Sequence, residues 1–173
     1  MEALAARLEQ VAEYTGRVVS WATLLMVLIT FLVVILRYVF DLGWIALQES
    51  VNYLHAAVFM LGAAYTMKHQ GQVRVDIFYQ KMSPRSRAWV DLLGTMLLLF
   101  PICGFIFWIS WEYVSNSWAV LEGSPEAGGL PGVFLLKSLL LLLPLTLGLQ
   151  GIANLLRSMM FLRDQHPPGN PDD

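Results

Sequence analysis

VVSWATLLMVLITFLVVIL, residues 18–36, is a run of nineteen residues without a charged side chain. A helix of this length covers roughly 30 Å, which is the thickness of the hydrocarbon core of a bilayer. Three further charge-free runs of 18 to 20 residues occupy positions 50–67, 92–111 and 138–156. The sequence therefore predicts an all-α integral membrane protein with four transmembrane helices.

Composition and charge placement agree with this prediction. The chain is 57% hydrophobic and 14% charged, whereas soluble domains are about 25% charged. Nine of the eleven Lys and Arg residues lie in the leader, the second connection and the tail. The positive-inside rule therefore predicts that both termini are cytoplasmic. The opposite side carries two basic residues and several acidic ones: Arg37, Lys137, Asp41, Glu112, Glu122 and Glu126.

The chain is expected to form one four-helix membrane domain over residues 1–163, followed by a disordered cytoplasmic tail over 164–173. The predicted helices cover about 18–40, 47–68, 88–116 and 132–158. Ser83 and Pro84 form a start signal for the third helix, with Ser as the cap and Pro at the first position. Pro101 and Pro144 each remove a backbone donor and predict bends in the third and fourth helices.

The segments outside the four runs carry two weaker patterns. Leu4, Leu8 and Val11 recur at helical spacing in the leader, which predicts a short amphipathic helix lying on the cytoplasmic surface. In the second connection, residues 73–77 alternate between apolar and polar side chains. A single strand at a membrane surface has no partner. We therefore interpret this stretch as an interfacial segment or helix, although the pattern alone also permits a strand.

Polar residues enter the membrane on one face of the second helix. Glu49, Asn52 and Tyr53 follow helical spacing, and an ionised carboxylate facing lipid costs several kcal/mol. This face must therefore meet protein or water. It is either a docking face for another subunit, an intramolecular contact or a coupling-ion site. Arg37 lies across the predicted hairpin, and an ion pair between Arg37 and Glu49 is our hypothesis for the intramolecular case.

Aromatic and basic residues at the helix ends predict membrane anchors. Trp and Tyr prefer the interface between headgroups and hydrocarbon, and a Lys near a helix end extends its ammonium toward the headgroups. The predicted lipid or interface anchors are Trp44, Trp89, Trp111 and Lys137.

The sequence contains no nucleophile constellation, phosphate loop or Cys/His cluster, so we do not expect an enzyme, a bound cofactor or a nucleic-acid partner. His55 and His69 lie fourteen residues apart on the predicted second helix, and two histidines so spaced suggest haem ligation. That ligation needs matching histidines on another helix, and the remaining histidine, His166, lies in the tail. A role as the membrane anchor of a respiratory complex is therefore an alternative only.

Short motifs follow one another along the chain: 37–40 (RYVF), Trp44 with Glu49, 62–65 (GAAY), 71–76 (GQVRVD) and 83–85 (SPR). In this order they resemble the small membrane subunit of tripartite ATP-independent periplasmic (TRAP) transporters, the DctQ-like subunit. The resemblance extends over roughly residues 18–157. Where the family often has a histidine ahead of the Val-Arg-Val-Asp stretch, this chain has Gln72.

The resemblance implies a bacterial inner-membrane scaffold that supports a large elevator-type membrane subunit. It also implies a periplasmic binding protein, sodium-coupled uptake of an organic acid, and sodium sites on the large subunit rather than here. Glu122 and Glu126 are predicted contacts of the binding protein. A small homodimeric proton-coupled exporter that uses Glu49 is the other alternative. The predicted subunit-interface residues are Arg37, Glu49, Asn52, Tyr53, Arg74 and Asp76.

Overall fold

The computed structural model describes residues 2–72, 79 and 81–164. Throughout this part of the chain the regular structure is helical and contains no strand, so the all-α prediction is confirmed there. The regular structure of the described residues consists of five α-helices and one π-helical turn. These are α1 (Glu2–Val39), α2 (Ile45–Lys68), α3 (Pro84–Gly94), the π turn (Thr95–Leu99), α4 (Phe100–Ala119) and α5 (Val133–Asp164).

Three helices of the described part are long and apolar enough to cross a membrane. They are α1, the continuous rod formed by α3, the π turn and α4, and α5. At 24 residues, α2 is also long enough, but the polar residues in its first half, among them Glu49, Asn52 and His55, lower its mean hydropathy. The structure therefore has three candidate spans, and the crossing by α2, with the four-span count, stays a prediction.

The separate interfacial helix predicted for the leader is wrong, because residues 2–39 form one uninterrupted helix. One face of its first half is buried, and that face consists mainly of small residues. Small side chains let neighbouring helices approach closely, so the leader packs against the bundle instead of turning away along the surface. The buried residues of α1 are Ala5, Glu9, Ala12, Gly16 and Val19.

The third predicted helix begins where its start signal placed it. The Ser83 hydroxyl accepts a hydrogen bond from the Ser86 backbone N–H at 3.2 Å, and Pro84 is the first helical residue. Ahead of Pro101 the helix widens into the π turn, where the Phe100 N–H bonds to the Thr95 carbonyl. Pro101 has no N–H to donate, and the local change in helix type lies directly before it.

Helix α5 is the centre of the bundle and contacts α1, α2, α3 and α4, while α1 packs along α2 as an antiparallel hairpin. A groove of about 1200 Å³ opens between α2 and the rod of α3 and α4, and α5 also lines it. We call the end with the α1–α2 turn and the 120–132 loop the outer end, following the predicted orientation. The opposite end is the inner end.

Candidate functional site

The carboxylate of Glu49 fastens the 120–132 loop to α2 at the outer end. One of its oxygens accepts a hydrogen bond from the Ser124 hydroxyl, and the other accepts one from the Leu130 backbone N–H at 2.7 Å. Both donors are neutral, and both lie more than seventy residues away in the chain. Glu49 is therefore engaged within the chain, which was one of the alternatives left open by the sequence.

The loop is closed on itself by short-range hydrogen bonds. The Ser124 N–H bonds to the Leu130 carbonyl at 3.0 Å, and the Gly129 N–H bonds to the Glu126 carbonyl at 3.0 Å. Gly128 has a φ of +82°, a conformation that glycine adopts without steric cost. The Ser124 hydroxyl also accepts a bond from the Glu126 N–H at 3.1 Å. These bonds leave the side chain of Glu126 exposed at the tip.

Gly129 lies where a larger residue does not fit. A Cβ at this position would lie 2.5 Å from the Ser124 hydroxyl oxygen and 2.8 Å from a Glu49 carboxylate oxygen. Glycine is thus required for the loop to approach Glu49 this closely. The hydrogen bonds and the steric fit together give the loop a defined position on α2.

A second contact holds the start of this loop to α5. The ammonium of Lys137 donates to the carboxylate of Glu122 and lies 4.0 Å from the centre of the Tyr113 ring. This hydrogen bond from Lys137 holds the pKa of Glu122 below its ordinary value. The Lys137 side chain is only 14% exposed. Its ammonium is therefore paired within the chain, and so is the carboxylate of Glu122. The anchor role of Lys137 stays a prediction.

The predicted ion pair between Arg37 and Glu49 is wrong. Arg37 is exposed in the last turn of α1, while the Glu49 carboxylate is taken up by the loop. The two residues do lie on adjacent helices of one hairpin, since the connection between α1 and α2 has only five residues. The prediction failed because the 120–132 loop, which joins α4 to α5, reaches Glu49.

The polar face of α2 divides into two parts. Tyr53 is half-buried beside the loop, and its hydroxyl oxygen is buried without a partner in the described part of the chain. Asn52 and His55 are exposed on the adjacent face, together with Phe59 and Thr66. These four exposed residues follow helical spacing along α2, and we call them the α2 stripe.

The tryptophans predicted as anchors are all exposed on helix surfaces or ends. Trp44 precedes the first residue of α2, Trp89 lies on α3 and Trp111 lies on α4. Trp108, one turn from Trp111, is 84% exposed. Large exposed apolar side chains of this kind suit contact with hydrocarbon and headgroups.

Charged contacts at the inner end were missed by the sequence reasoning. Glu13 receives Lys68 at 2.7 Å, His69 at 2.9 Å and Arg17 at 3.2 Å. A further ion pair joins Glu9 of α1 to Arg157 of α5. The four-residue spacing of Glu13 and Arg17 could have predicted their ion pair. The contacts between different helices leave no pattern in the sequence.

Two of the predicted interface residues, Arg74 and Asp76, lie outside the described residues, as do the 73–77 stretch and most of the 164–173 tail. Within the described part of the chain, no group of three or more His, Cys, Asp or Glu side chains is placed to hold a metal ion. His55 and His69, which prompted the haem alternative, both lie on α2 or at its end.

Comparison with known proteins identifies the family. The model of the "Tripartite ATP-independent periplasmic transporters, DctQ component" family matches residues 26–160. A protein of Haemophilus influenzae named "Putative TRAP transporter small permease protein" is 29% identical over 106 residues. That match covers 59% of this chain and 65% of the relative's length. No solved structure matches the chain. The chain therefore belongs to the DctQ family of small membrane subunits of TRAP transporters.

Proposed function

We propose that this chain is the fixed transmembrane scaffold of a TRAP secondary transporter in the bacterial inner membrane. It supports a large elevator-type subunit that carries the sodium and solute sites, while a periplasmic binding protein delivers an organic acid. In this proposal α2 is the fourth membrane span, both termini are cytoplasmic, and the chain performs no catalysis and holds no cofactor.

The α2 stripe is the observation that carries the proposal. Asn52 and His55 are exposed on the second helix of the bundle, next to the exposed ring of Phe59. Uncompensated polar side chains are unfavourable against hydrocarbon. The exposed faces of α1 are instead dominated by Leu, Val and Phe. The stripe therefore suits a protein neighbour, whereas the α1 surface suits lipid.

The outer end suits a soluble partner with a basic surface. Its acidic residues outnumber its basic ones by five to two, and Glu126 is exposed at the loop tip. Complementary charge guides association between proteins. We propose that this end meets the periplasmic binding protein, with Glu126 as a direct contact. The acidic residues are Asp41, Glu49, Glu112, Glu122 and Glu126, and the basic ones are Arg37 and Lys137.

Reconstitution into liposomes tests the scaffold function. The chain, the large subunit and both together are each supplied with the binding protein, a sodium gradient and a panel of radiolabelled organic acids. We expect uptake only when both membrane subunits are present. Uptake by this chain alone would contradict the proposal and favour an exporter-like unit.

Matched variants test the role of the stripe in the same assay. Replacing Asn52 and His55 together by Leu removes the polar groups from the stripe, so we expect less co-purified large subunit and less uptake. The control replaces Leu24 and Leu28 on the exposed face of α1 by Ala, which leaves the stripe intact. Equal co-purification by the two variants would remove the stripe from the interface.

A further inference from the structure

The outer loop is connected to α2 by the side chain of Glu49. That carboxylate binds one donor near the start of the loop, Ser124, and one near its end, Leu130. The two attachment points enclose the tip that carries Glu126. The hydrogen bonds of one α2 side chain therefore join the tip to that helix.

The same helix carries the α2 stripe, which begins at Asn52, less than one helical turn beyond Glu49. A displacement of α2 would thus carry both the stripe and the loop tip with it. The second attachment of the loop, through Glu122 and Lys137, goes to α5 instead. Among the hydrogen bonds of the described residues, those of Glu49 join the loop tip to the helix that presents the stripe.

We infer that Glu49 is a positioning residue: it holds Glu126 in register with α2, so that the soluble partner and the large subunit are bound at a fixed mutual position. This inference rests on the proposed function, because it requires both partners. Glu49 does not contact either partner in this account. It acts through the loop, by keeping the tip in the position in which a basic surface can meet Glu126.

The two neutral donors, the Ser124 hydroxyl and the Leu130 N–H, suit a carboxylate that positions the loop. A carboxylate that accepts bonds from a hydroxyl and a backbone N–H fixes the direction of both groups, and hydrogen bonds to charged groups are the stronger ones. The steric fit at Gly129 adds to this, because the loop backbone approaches the carboxylate at the distance that only glycine permits.

The test measures binding of the periplasmic binding protein to the complex of this chain and its large subunit in nanodiscs. Glu49→Ala removes the acceptor for both donors. We expect about a tenfold weaker Kd, which is the scale of a lost contact of this kind, with an unchanged amount of co-purified large subunit. Glu2→Gln is the control, since Glu2 is an exposed acid in the first turn of α1 at the inner end, and we expect its Kd to stay at the wild-type value.

A double-mutant cycle separates positioning from a general loss of stability. Glu126→Gln should weaken binding in the wild-type background and have no further effect in the Glu49→Ala background, because the tip is then already displaced. Ser124→Ala removes one of the two attachments and should give a smaller loss than Glu49→Ala. It also serves as the second variant if Glu49→Ala does not assemble.

Two results would overturn the inference. One is wild-type affinity in both Glu49→Ala and Ser124→Ala. The other is an equal effect of Glu126→Gln in the two backgrounds. Failure of the proposed function looks different, because the wild-type chain would then not co-purify with the large subunit at all.

Discussion

At the outer end a single carboxylate, Glu49, holds a loop through two neutral donors, whereas at the inner end Glu13 meets Lys68, His69 and Arg17. At the outer end the loop tip is joined to α2 through this one carboxylate, while the pair of Glu122 and Lys137 joins the start of the loop to α5. The inner arrangement shares one acceptor among several donors and is supported by helix packing. The position of the outer loop therefore depends on few side chains, whereas the helices at the inner end are held together by several.

The largest expected effect concerns the packing that supports the inner end. Gly16→Ala would place a Cβ 2.2 Å from the Tyr65 ring, so α1 and α2 must separate. Overpacking of this kind costs about 1–3 kcal/mol. Thermal unfolding in detergent should show a clear decrease in the midpoint.

Gly62→Ala is the control for that prediction, because its Cβ would lie 3.9 Å from Val19, an ordinary contact distance. Its unfolding midpoint should stay close to that of the wild type. Equal midpoints for the two variants would show that the inner end is not held by close packing of α1 on α2.

The next effect concerns the outer end. Glu49→Ala leaves the Ser124 hydroxyl and the Leu130 N–H without their acceptor, so the loop should become more accessible to protease. Limited proteolysis with a glutamyl endopeptidase, which cleaves after Glu126, measures this directly. Asp41→Asn should leave the cleavage rate at the wild-type value, and an unchanged rate in Glu49→Ala would show that Glu49 does not hold the loop tip.

The ion pair between Glu122 and Lys137 should make the stability of the outer end depend on pH. The pKa of Glu122 lies below its ordinary value of 4.5 because Lys137 donates to its charged form. This contribution to stability is present above 4.5 and is lost as the pH falls through the lowered value. The difference in unfolding midpoint between wild type and Glu122→Gln should therefore be largest near neutral pH and shrink below 4.5.

Glu112→Gln serves as the reference in that experiment, since Glu112 is exposed on α4. Its midpoint should differ from that of wild type by less than the midpoint of Glu122→Gln does at neutral pH. A difference for Glu122→Gln that stays constant from neutral to acidic pH would remove the ion pair with Lys137 from the account.

The smallest change in unfolding midpoint is expected from the exposed ion pair between Arg17 and Glu13 at the inner end. Arg17→Ala removes a pair whose Arg side chain is 75% exposed and therefore screened by water and salt. Lys68 and His69 still meet Glu13 in this variant, so the midpoint should hardly change. Lys68→Ala should have the larger effect of the two, and the opposite order would contradict the shared-acceptor interpretation.

Much of the fold could be predicted from hydropathy alone. Charge-free runs give the helices, and the Ser83-Pro84 pair marks a helix start because its chemistry is local. The continuity of α1 could not be predicted in this way. It depends on small residues such as Ala5 and Ala12 fitting against neighbouring helices, and hydropathy does not report that fit.

The partners of Glu49 could not be predicted from the sequence for a similar reason. The sequence showed that the carboxylate needs a partner, and Arg37 was the nearest charge across the hairpin. The observed partners are a hydroxyl and a backbone N–H, which become available only after the loop closes around Gly128 and Gly129. A charge pattern does not predict such donors.

Photocrosslinking in native membranes tests the central claim most directly. A photoreactive residue is placed at position 55 on the α2 stripe or at position 28 on the exposed apolar face of α1, and the adducts are identified by mass spectrometry. We expect a crosslink to the large subunit from position 55 and none from position 28. A crosslink to the large subunit from position 28 with none from position 55 would contradict it.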